Sequence, residues 1–402
     1  MTLILNNTEV AQAVTMAECV DAIEDAFIEV GRGWAMSDPR IDRHMPTSKE
    51  AIARELGIPV DQLEHKILNE RLAKDAYVEP EAFGAPLIYM FKTMFGAIHK
   101  TGIAAVRTSS EVMSMPVVEG KLRYCKIPTG PGGRYTSLSQ LFSARTGQLL
   151  CIMPDGYIQR NRVVATGAVG TKHLARKDAK RVGILGSGMM AGGSIEATLV
   201  VRPGIEHIKV FSPNAKHREA FVQHWRERTK IDIVAVESAE AAMRDVDIAI
   251  GATNTFTPVL RGEWIAPGTH INSTTPNETD EACHRRADVR VMTWWSHGDR
   301  FDVDDYVLPA APEAHAKVFS KGRKESSPSW VPNSPEWPTA ELGNLLAGKV
   351  AGRTSPKQIT FHMNGSAGVQ FAALGGKILE NARKKGLGHE VPTDWFLEEL
   401  HP

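Results

Sequence analysis

Gly186, Gly188 and Ala191 stand at fixed spacing in the run VGILGSGMMA at 182–191 and fit the pattern G-x-G-x-x-G/A. An apolar, strand-like VGIL precedes them and a helical segment, AGGSIEATLVVRP, follows, which is where such a loop can hold a pyrophosphate. Gly186 permits the tight turn, Gly188 lets backbone approach the phosphates, and Ala191 is small enough for helix to pack closely on strand. Ser187, Met189 and Met190 complete the loop at the helix N-terminus, where phosphate charge is favoured. The same glycines would also serve a turn that merely packs a helix on a strand, so the surrounding pattern decides.

At the end of the next strand, HIKVFSP, an acidic residue would take the ribose 2′-hydroxyl of NAD. The chain instead offers Ser212, Asn214, Lys216 and Arg218, with no Asp or Glu before Glu219. Hydroxyl, amide and cationic groups suit a 2′-phosphate, so NADP(H) is expected, with NAD(H) as the alternative. Lys216 and Arg218 would otherwise be the solvated face of the following helix. Thr253 and Asn254, in IGATNTFTPVL, fall at the carboxyl end of a further strand, where ligands bind in parallel sheets. They are expected to line the nicotinamide side, or else to form an ordinary strand-to-loop turn. His362 and Asn364, in FHMNGSAGVQ, follow the last expected strand; a histidine there offers either a proton donor or a packed, hydrogen-bonded ring.

The elements that must position these groups fall into two patterns. From Asn161 strand and helix alternate with short connections, which predicts a doubly wound parallel sheet over 161–365. Before it, short segments such as PLIYMFKT, GIAAVRTSS, SLSQLFS and QLLCIMP, separated by Gly, Pro and polar turns, predict a sheet within 1–160. Thr15, with Glu18 three residues on, opens an amphipathic helix, and residues 47 to 83 read as two helices on either side of Gly57 and Pro59. Residues 311 to 338, with five prolines and a KGRK run, read as an exposed connection. A final helix, GSAGVQFAALGGKILENARKKG, is apolar along one face and is expected to pack back on the first domain, so 366–402 completes 1–160.

Composition narrows the partners. Lys+Arg and Asp+Glu each total 47 among 402 residues, so no net basic field favours nucleic acid or anionic lipid. Cys19, Cys125, Cys151 and Cys283 lie far apart, without the spacing of a zinc site or a disulfide framework, and suggest a reducing compartment. No metal is expected. Neither a signal-like N-terminus nor a long apolar run is present, so a soluble, cytoplasmic protein with a small-molecule partner is expected.

The landmarks LFSARTGQLLCIMPDG followed by NRVVATGAVGTKHLA, the GSGMMA loop, TPVLRGEWIAPGTHINST and LGNLLAGKVAGRTSPKQITFHMNGSAGVQ together resemble the ornithine cyclodeaminase/μ-crystallin family. The resemblance runs from about Pro39 to Gly388, broken near residues 47 to 83. It implies a nicotinamide-dependent homodimer in which a second α+β domain, built from both chain ends, binds the substrate and forms the dimer sheet. It also implies an amino or imino acid substrate, since such members include cyclodeaminases, ketimine reductases, amino acid dehydrogenases and cofactor-binding proteins.

Carried over residue by residue, the resemblance assigns Arg162 to the arginine that clamps a substrate carboxylate. Arg40, in SDPRIDRHMP, matches a second carboxylate-binding arginine, with Arg43 as its rival. The family strand that carries a lysine aligns with GIAAVRTSS, where the matching place is Ala104, with Arg107 further along. No lysine is assigned there, although Lys92 and Lys100 lie nearby. The acidic residue that cyclodeaminases use in proton transfer is matched by Asn277, whose amide is no general base. These departures favour a simpler reaction: hydride transfer between nicotinamide and the carbon bearing nitrogen of an α-imino or α-amino acid. Cyclodeamination of a diamino acid is the alternative, and a non-catalytic NADPH-binding protein the second.

Overall fold

The computed structural model describes the chain except for residues 39, 73–79, 119–120, 123–124, 256, 294–337 and 399–402. The loop expected over 311–338 therefore lies outside the described residues up to 337, as do Trp294, Trp295 and Trp337. The described chain forms two compact units, Met1–Thr166 with Ser366–Pro402, and Gly167–Gly365.

The first unit opens with strand β1 (Thr2–Ile4), helix α1 (Asn7–Ala13) and helix α2 (Met16–Arg32). Thr15 and Glu18 close the expected capping box on α2. Strands β2 (Ala35–Ser37) and β3 (Ile41–Pro46) follow, then helices α3 (Lys49–Leu56) and α4 (Val60–Leu72), the pair expected around Gly57. Ile52, Leu63, Ile67, Phe83 and Ile127 give these two helices a small core of their own. The long strands β4 (Leu87–Ile98) and β5 (Ile103–Ser114) are followed by the short hairpin β6 (Val117–Val118) and β7 (Lys121–Leu122), then β8 (Cys125–Ile127), β9 (Thr136–Ser143) and β10 (Leu149–Pro154).

The principal sheet runs His389–Val391, β1, β10, β9, β5, β4, β2, with β3 also on β4 and β8 on the end of β5. All its pairs are antiparallel save β1 with β10. The last helix, Val369–Lys385, buries its apolar side, including Phe371, Leu374 and Ile378. Gly96 on β4 lets the backbone of Gly368 and Val369 approach, because a Cβ there would strike both.

Helix α5 (Gly156–Leu174) leads into the second unit, an eight-stranded parallel sheet. Its strands are β11 (Arg181–Leu185), β12 (His207–Phe211), β13 (Asp232–Ala235), β14 (Ile248–Gly251), β15 (His270–Ser273), β16 (Val289–Met292), β17 (Ala340–Glu341) and β18 (Thr360–Met363). Their order is β13-β12-β11-β14-β15-β18-β16-β17, so the expected doubly wound sheet is present, with the chain reversing direction across the sheet between β11 and β14. Helices α6 (Met189–Val201), α7 (Ala215–Thr229) and α8 (Ala239–Met243) connect the first strands. Val182, Ile184, Ile195, Val210, Trp225 and Ile248 form one of its cores.

Arg202 ties this unit to the end of α5. Its buried guanidinium donates to the carbonyls of Thr171, Lys172, Ala175 and Arg176 at and just beyond the end of that helix. Arg202→Met removes these donors from buried acceptors and is expected to cost about 3 kcal/mol of stability. Thermal unfolding with a Tm equal to that of the parent would refute this cap.

Candidate functional site

In the first unit the sheet face beneath the last helix is polar where a core should be apolar. Along β5 the alternate positions Ala105, Arg107, Ser109, Glu111 and Met113 are buried, as is the terminal Ser114. Strand register places Asp42, Lys92, Ser109 and Ser137 in one row across β3, β4, β5 and β9. The adjacent row is Met94, Arg107, Ser139 and Met153. Burying so many polar side chains on one face is costly for a core, which makes this face a candidate site.

Arg162, on α5, is buried with 3% exposure, and its acceptors are all neutral. Nη1 donates to Ser366 Oγ at 2.7 Å and to Gln370 Oε1 at 2.9 Å, and Nη2 donates to Gln159 Oε1 at 2.9 Å. Nε has no partner. No described carboxylate pairs with it directly. Burial pulls its pKa down to about 9, with Asp155 opposing and Arg107 and Arg40 assisting, so it remains cationic at neutral pH. Gln370 is itself fixed, donating to Thr166 Oγ1 at 2.8 Å.

Arg107 lies beside it, and both guanidiniums sit over the ring of Phe371, at 5.8 Å and 5.2 Å from its centroid. Unlike Arg162, Arg107 has a buried anion: its Nε donates to Asp155 Oδ2 at 2.8 Å. Burial raises the Asp155 pKa against the pull of these arginines, and its Oδ1 is without a partner. Arg40 is exposed and paired with Asp42 at 2.7 Å, and its charge reaches both Arg162 and Lys92. Arg162, Arg107 and Arg40 thus fall in one electrostatic neighbourhood.

Of the two lysines that the sequence left unassigned, Lys92 is the buried one. It lies within β4 on the buried face, 3.3 Å from Glu111, whereas Lys100 is exposed and pairs with Asp25. Burial lowers the Lys92 pKa to about 8, against the opposing pull of Glu111. Lys126 also donates to Glu111, as does Ser109, and the two ammonium groups hold the Glu111 carboxyl at about 2 despite its burial. The alternation of Arg107, Ser109 and Glu111 along β5 was the available signal for this face. Ala104 lies on the opposite side of the strand, across from Ala97.

In the second unit the glycine loop fits a pyrophosphate. Gly186 has φ +116°, and a Cβ there would strike the Ala252 carbonyl. Gly188 is the N-cap of α6, with no side-chain cap and open space where its Cβ would stand. Met189 is exposed, Met190 half-buried and Ala191 fully buried. Ser187 Oγ bonds Ser212 Oγ at 2.8 Å, tying the loop to the end of β12. Asn214 caps α7 by accepting from His217 N, and Lys216 is exposed. Arg218 is not a solvated residue: it is buried at 3%, with Nη1 donating to Ser212 O at 2.7 Å and Nη2 to Glu237.

Asn254 is exposed, and the Thr253 hydroxyl donates to Glu278 at 2.8 Å. Glu278 follows Asn277 in the turn Pro276–Glu278 and is fully buried. It also accepts from the backbone N–H groups of Thr253, Thr274 and Thr275. The carboxylate beside the half-buried Asn277 is thus committed to shaping this loop. His362 accepts or donates through Nε2 to Thr293 Oγ1 at 3.1 Å, and burial takes its pKa down to about 3. It is therefore a neutral packed ring at physiological pH, the second of the two expected outcomes.

A glycine-loop, doubly wound sheet joined in one chain to a second α/β unit with a buried cationic face defines a two-domain dinucleotide-fold protein. A profile described as the ornithine cyclodeaminase/mu-crystallin family matches residues 132–386, well over half the chain, and the chain belongs to that family. It is 28% identical over 251 residues to a Δ1-pyrroline-2-carboxylate reductase of Bacillus cereus, covering 61% of this chain and 71% of that protein. It is 28% identical over 255 residues to an alanine dehydrogenase of Archaeoglobus fulgidus, covering 63% and 73%. Among solved structures, the Δ1-pyrroline-2-carboxylate reductase of Thermococcus litoralis, in complex with NADH and L-proline, shares the fold at TM-score 0.67 and 24% identity. That match covers 97% of this chain and 100% of the other.

The buried lysine has a direct test. Side-chain NMR should show Lys92 titrating near pH 8, and Glu111→Gln, which removes the anion that retains its proton, should move that titration lower. Because the folded pKa lies below that of an unfolded lysine, this group costs stability below about pH 8, and the cost fades as pH rises toward about 10.4. A Lys92 that titrates like an exposed lysine would contradict the burial of this face.

Proposed function

We propose that the chain is an NAD(P)-dependent oxidoreductase that moves a hydride between nicotinamide and the C–N carbon of an α-imino or α-amino acid, as a ketimine reductase or amino acid dehydrogenase. Arg162 carries this reading: a guanidinium held out of water with neutral acceptors and no direct counter-ion among the described residues is suited to a substrate carboxylate. Lys92 and Arg40 add positive charge nearby. The names of the reductase and dehydrogenase relatives support the same chemistry. Cyclodeamination is disfavoured, because Asn277 is an amide and Glu278 is fully engaged.

The nicotinamide, when bound, supplies or accepts the hydride. Gly186 to Ala191 would hold its pyrophosphate at the N-terminus of α6, and Thr253 and Asn254 would border its nicotinamide end. Arg162 orients the substrate through its carboxylate, and the ammonium of Lys92, being easily deprotonated, can exchange a proton at neutral to mildly alkaline pH. The absence of an acid at the end of β12, together with Ser212, Asn214, Lys216 and Arg218, favours NADP(H) over NAD(H). Residues 1–160 with 366–402 form the substrate-binding and dimerisation domain, and 161–365 the dinucleotide-binding domain. No disulfide joins the four buried cysteines among the described residues, which suits a cytoplasmic compartment, and no described helix is long and apolar enough to cross a membrane.

A homodimer accounts for the other face of the first unit's sheet. Met36, Ile41, Met45 and Phe91 share that face by register and are all exposed. A second copy is the apolar partner that such a patch fits.

Arg162→Ala should lower kcat/KM for the imino acid by roughly 10² to 10³-fold, the scale of losing a buried charged contact, while nicotinamide dinucleotide still binds. Unchanged kcat/KM across imino acids would overturn the assignment. Phe91→Glu places a charge in the apolar patch and should shift the mass in light scattering from dimer toward monomer; a mass unchanged from the parent would exclude this face as the interface.

A further inference from the structure

We propose that Glu237 sets the cofactor preference of this chain by competing with a 2′-phosphate for the guanidinium of Arg218. The inference rests on the dinucleotide reading of the second unit and concerns how that site chooses between its two forms.

Arg218 stands where the choice is made. Its Nη1 donates to the carbonyl of Ser212, the residue directly after β12, and its guanidinium lies over the Phe211 ring at 5.5 Å. Ser212 is also the residue whose hydroxyl meets Ser187 of the glycine loop, so Arg218, Ser212 and the loop form one connected group. The carboxyl end of the second strand is where the adenosine ribose rests in this kind of sheet.

The cation is only partly committed. Its side chain is 4% exposed and its Nε is buried without a partner, while Nη2 reaches the two oxygens of Glu237 at 3.3 Å and 3.2 Å. Glu237 is the opposite case, with 90% of its side chain exposed. A carboxylate so well solvated contributes little to stability through its ion pair, and it can swing away at small cost. What it does change is the charge a ligand meets. A 2′-phosphate approaching Arg218 would have to displace Glu237 or stand within a few ångströms of it, and either raises the free energy of the phosphorylated form. A ribose 2′-hydroxyl carries no charge and meets no such opposition. Lys216, exposed on the first turn of α7, attracts phosphate independently, so the chain retains an NADP(H) preference that Glu237 holds down.

The test uses the full chain and Glu237→Gln, which keeps an oxygen acceptor for Arg218 and removes the charge. Isothermal titration calorimetry with 2′,5′-ADP and with 5′-ADP gives the ratio of their affinities. The proposal expects that ratio to move toward 2′,5′-ADP on the order of tenfold in the variant, and the shift to shrink with added salt. An unchanged ratio would overturn it and leave Arg218 as a structural cap on Ser212. A ratio that moves because 5′-ADP binding weakens would also overturn it, making Glu237 an acceptor for ribose hydroxyls. If the unmodified chain bound neither ligand, the dinucleotide reading itself would fail, an outcome distinct from the other two.

Discussion

A guanidinium removed from water without a direct anion is the constraint around which the first unit is arranged. The desolvation of such an ion costs several kcal/mol even after relaxation, and hydrogen bonds to neutral oxygens recover only part of it. Arg162 is kept in that state by groups whose own positions are fixed: Gln370 on the last helix, Ser366 before it and Gln159 one turn back on α5. The ring of Phe371 then supports it from below. On the proposed reading a substrate anion would complete what the protein leaves incomplete, concentrating binding energy at one point of a small molecule.

The neighbouring charges differ in how far they are satisfied. Arg107 is neutralised by Asp155, Arg40 by Asp42, and Glu111 holds Lys92 and Lys126 together. These pairs set the field around Arg162 without quenching it. Lys92, Arg107 and Glu111 stand on the adjacent paired strands β4 and β5, so their spacing follows from strand register, whereas Arg40 and Asp155 lie just outside the strands.

The second unit uses the opposite device. Its glycine loop supplies backbone donors and empty space rather than charge, and its charged groups lie at the end of β12. Glu278 illustrates how sequence alignment by type can mislead: the acid adjacent to Asn277 is buried and accepts from three backbone N–H groups and a hydroxyl, which makes it part of the scaffold. Arg218 is a second case, since a cation that reads as helix surface is buried against a carbonyl and an exposed carboxylate.

Arg162 was singled out by the family resemblance; by itself the sequence determined the parallel sheet, the glycine loop and the capping box at Thr15. Each depends on short-range rules: hydrophobic period, turn chemistry and residues a few positions apart. It did not determine Lys92. Strand alternation shows that Arg107, Ser109 and Glu111 share a face, but not whether that face meets water or protein. The last helix, more than 250 residues away in the chain, sets Phe371 against Arg107 on that face. The partners of Arg162, from residue 159 to residue 370, and the pairing of Arg218 with Glu237 across two strands were likewise settled by tertiary structure. Side-chain charge is written in the sequence, whereas its solvation and its counter-ion depend on which distant segments fold against it.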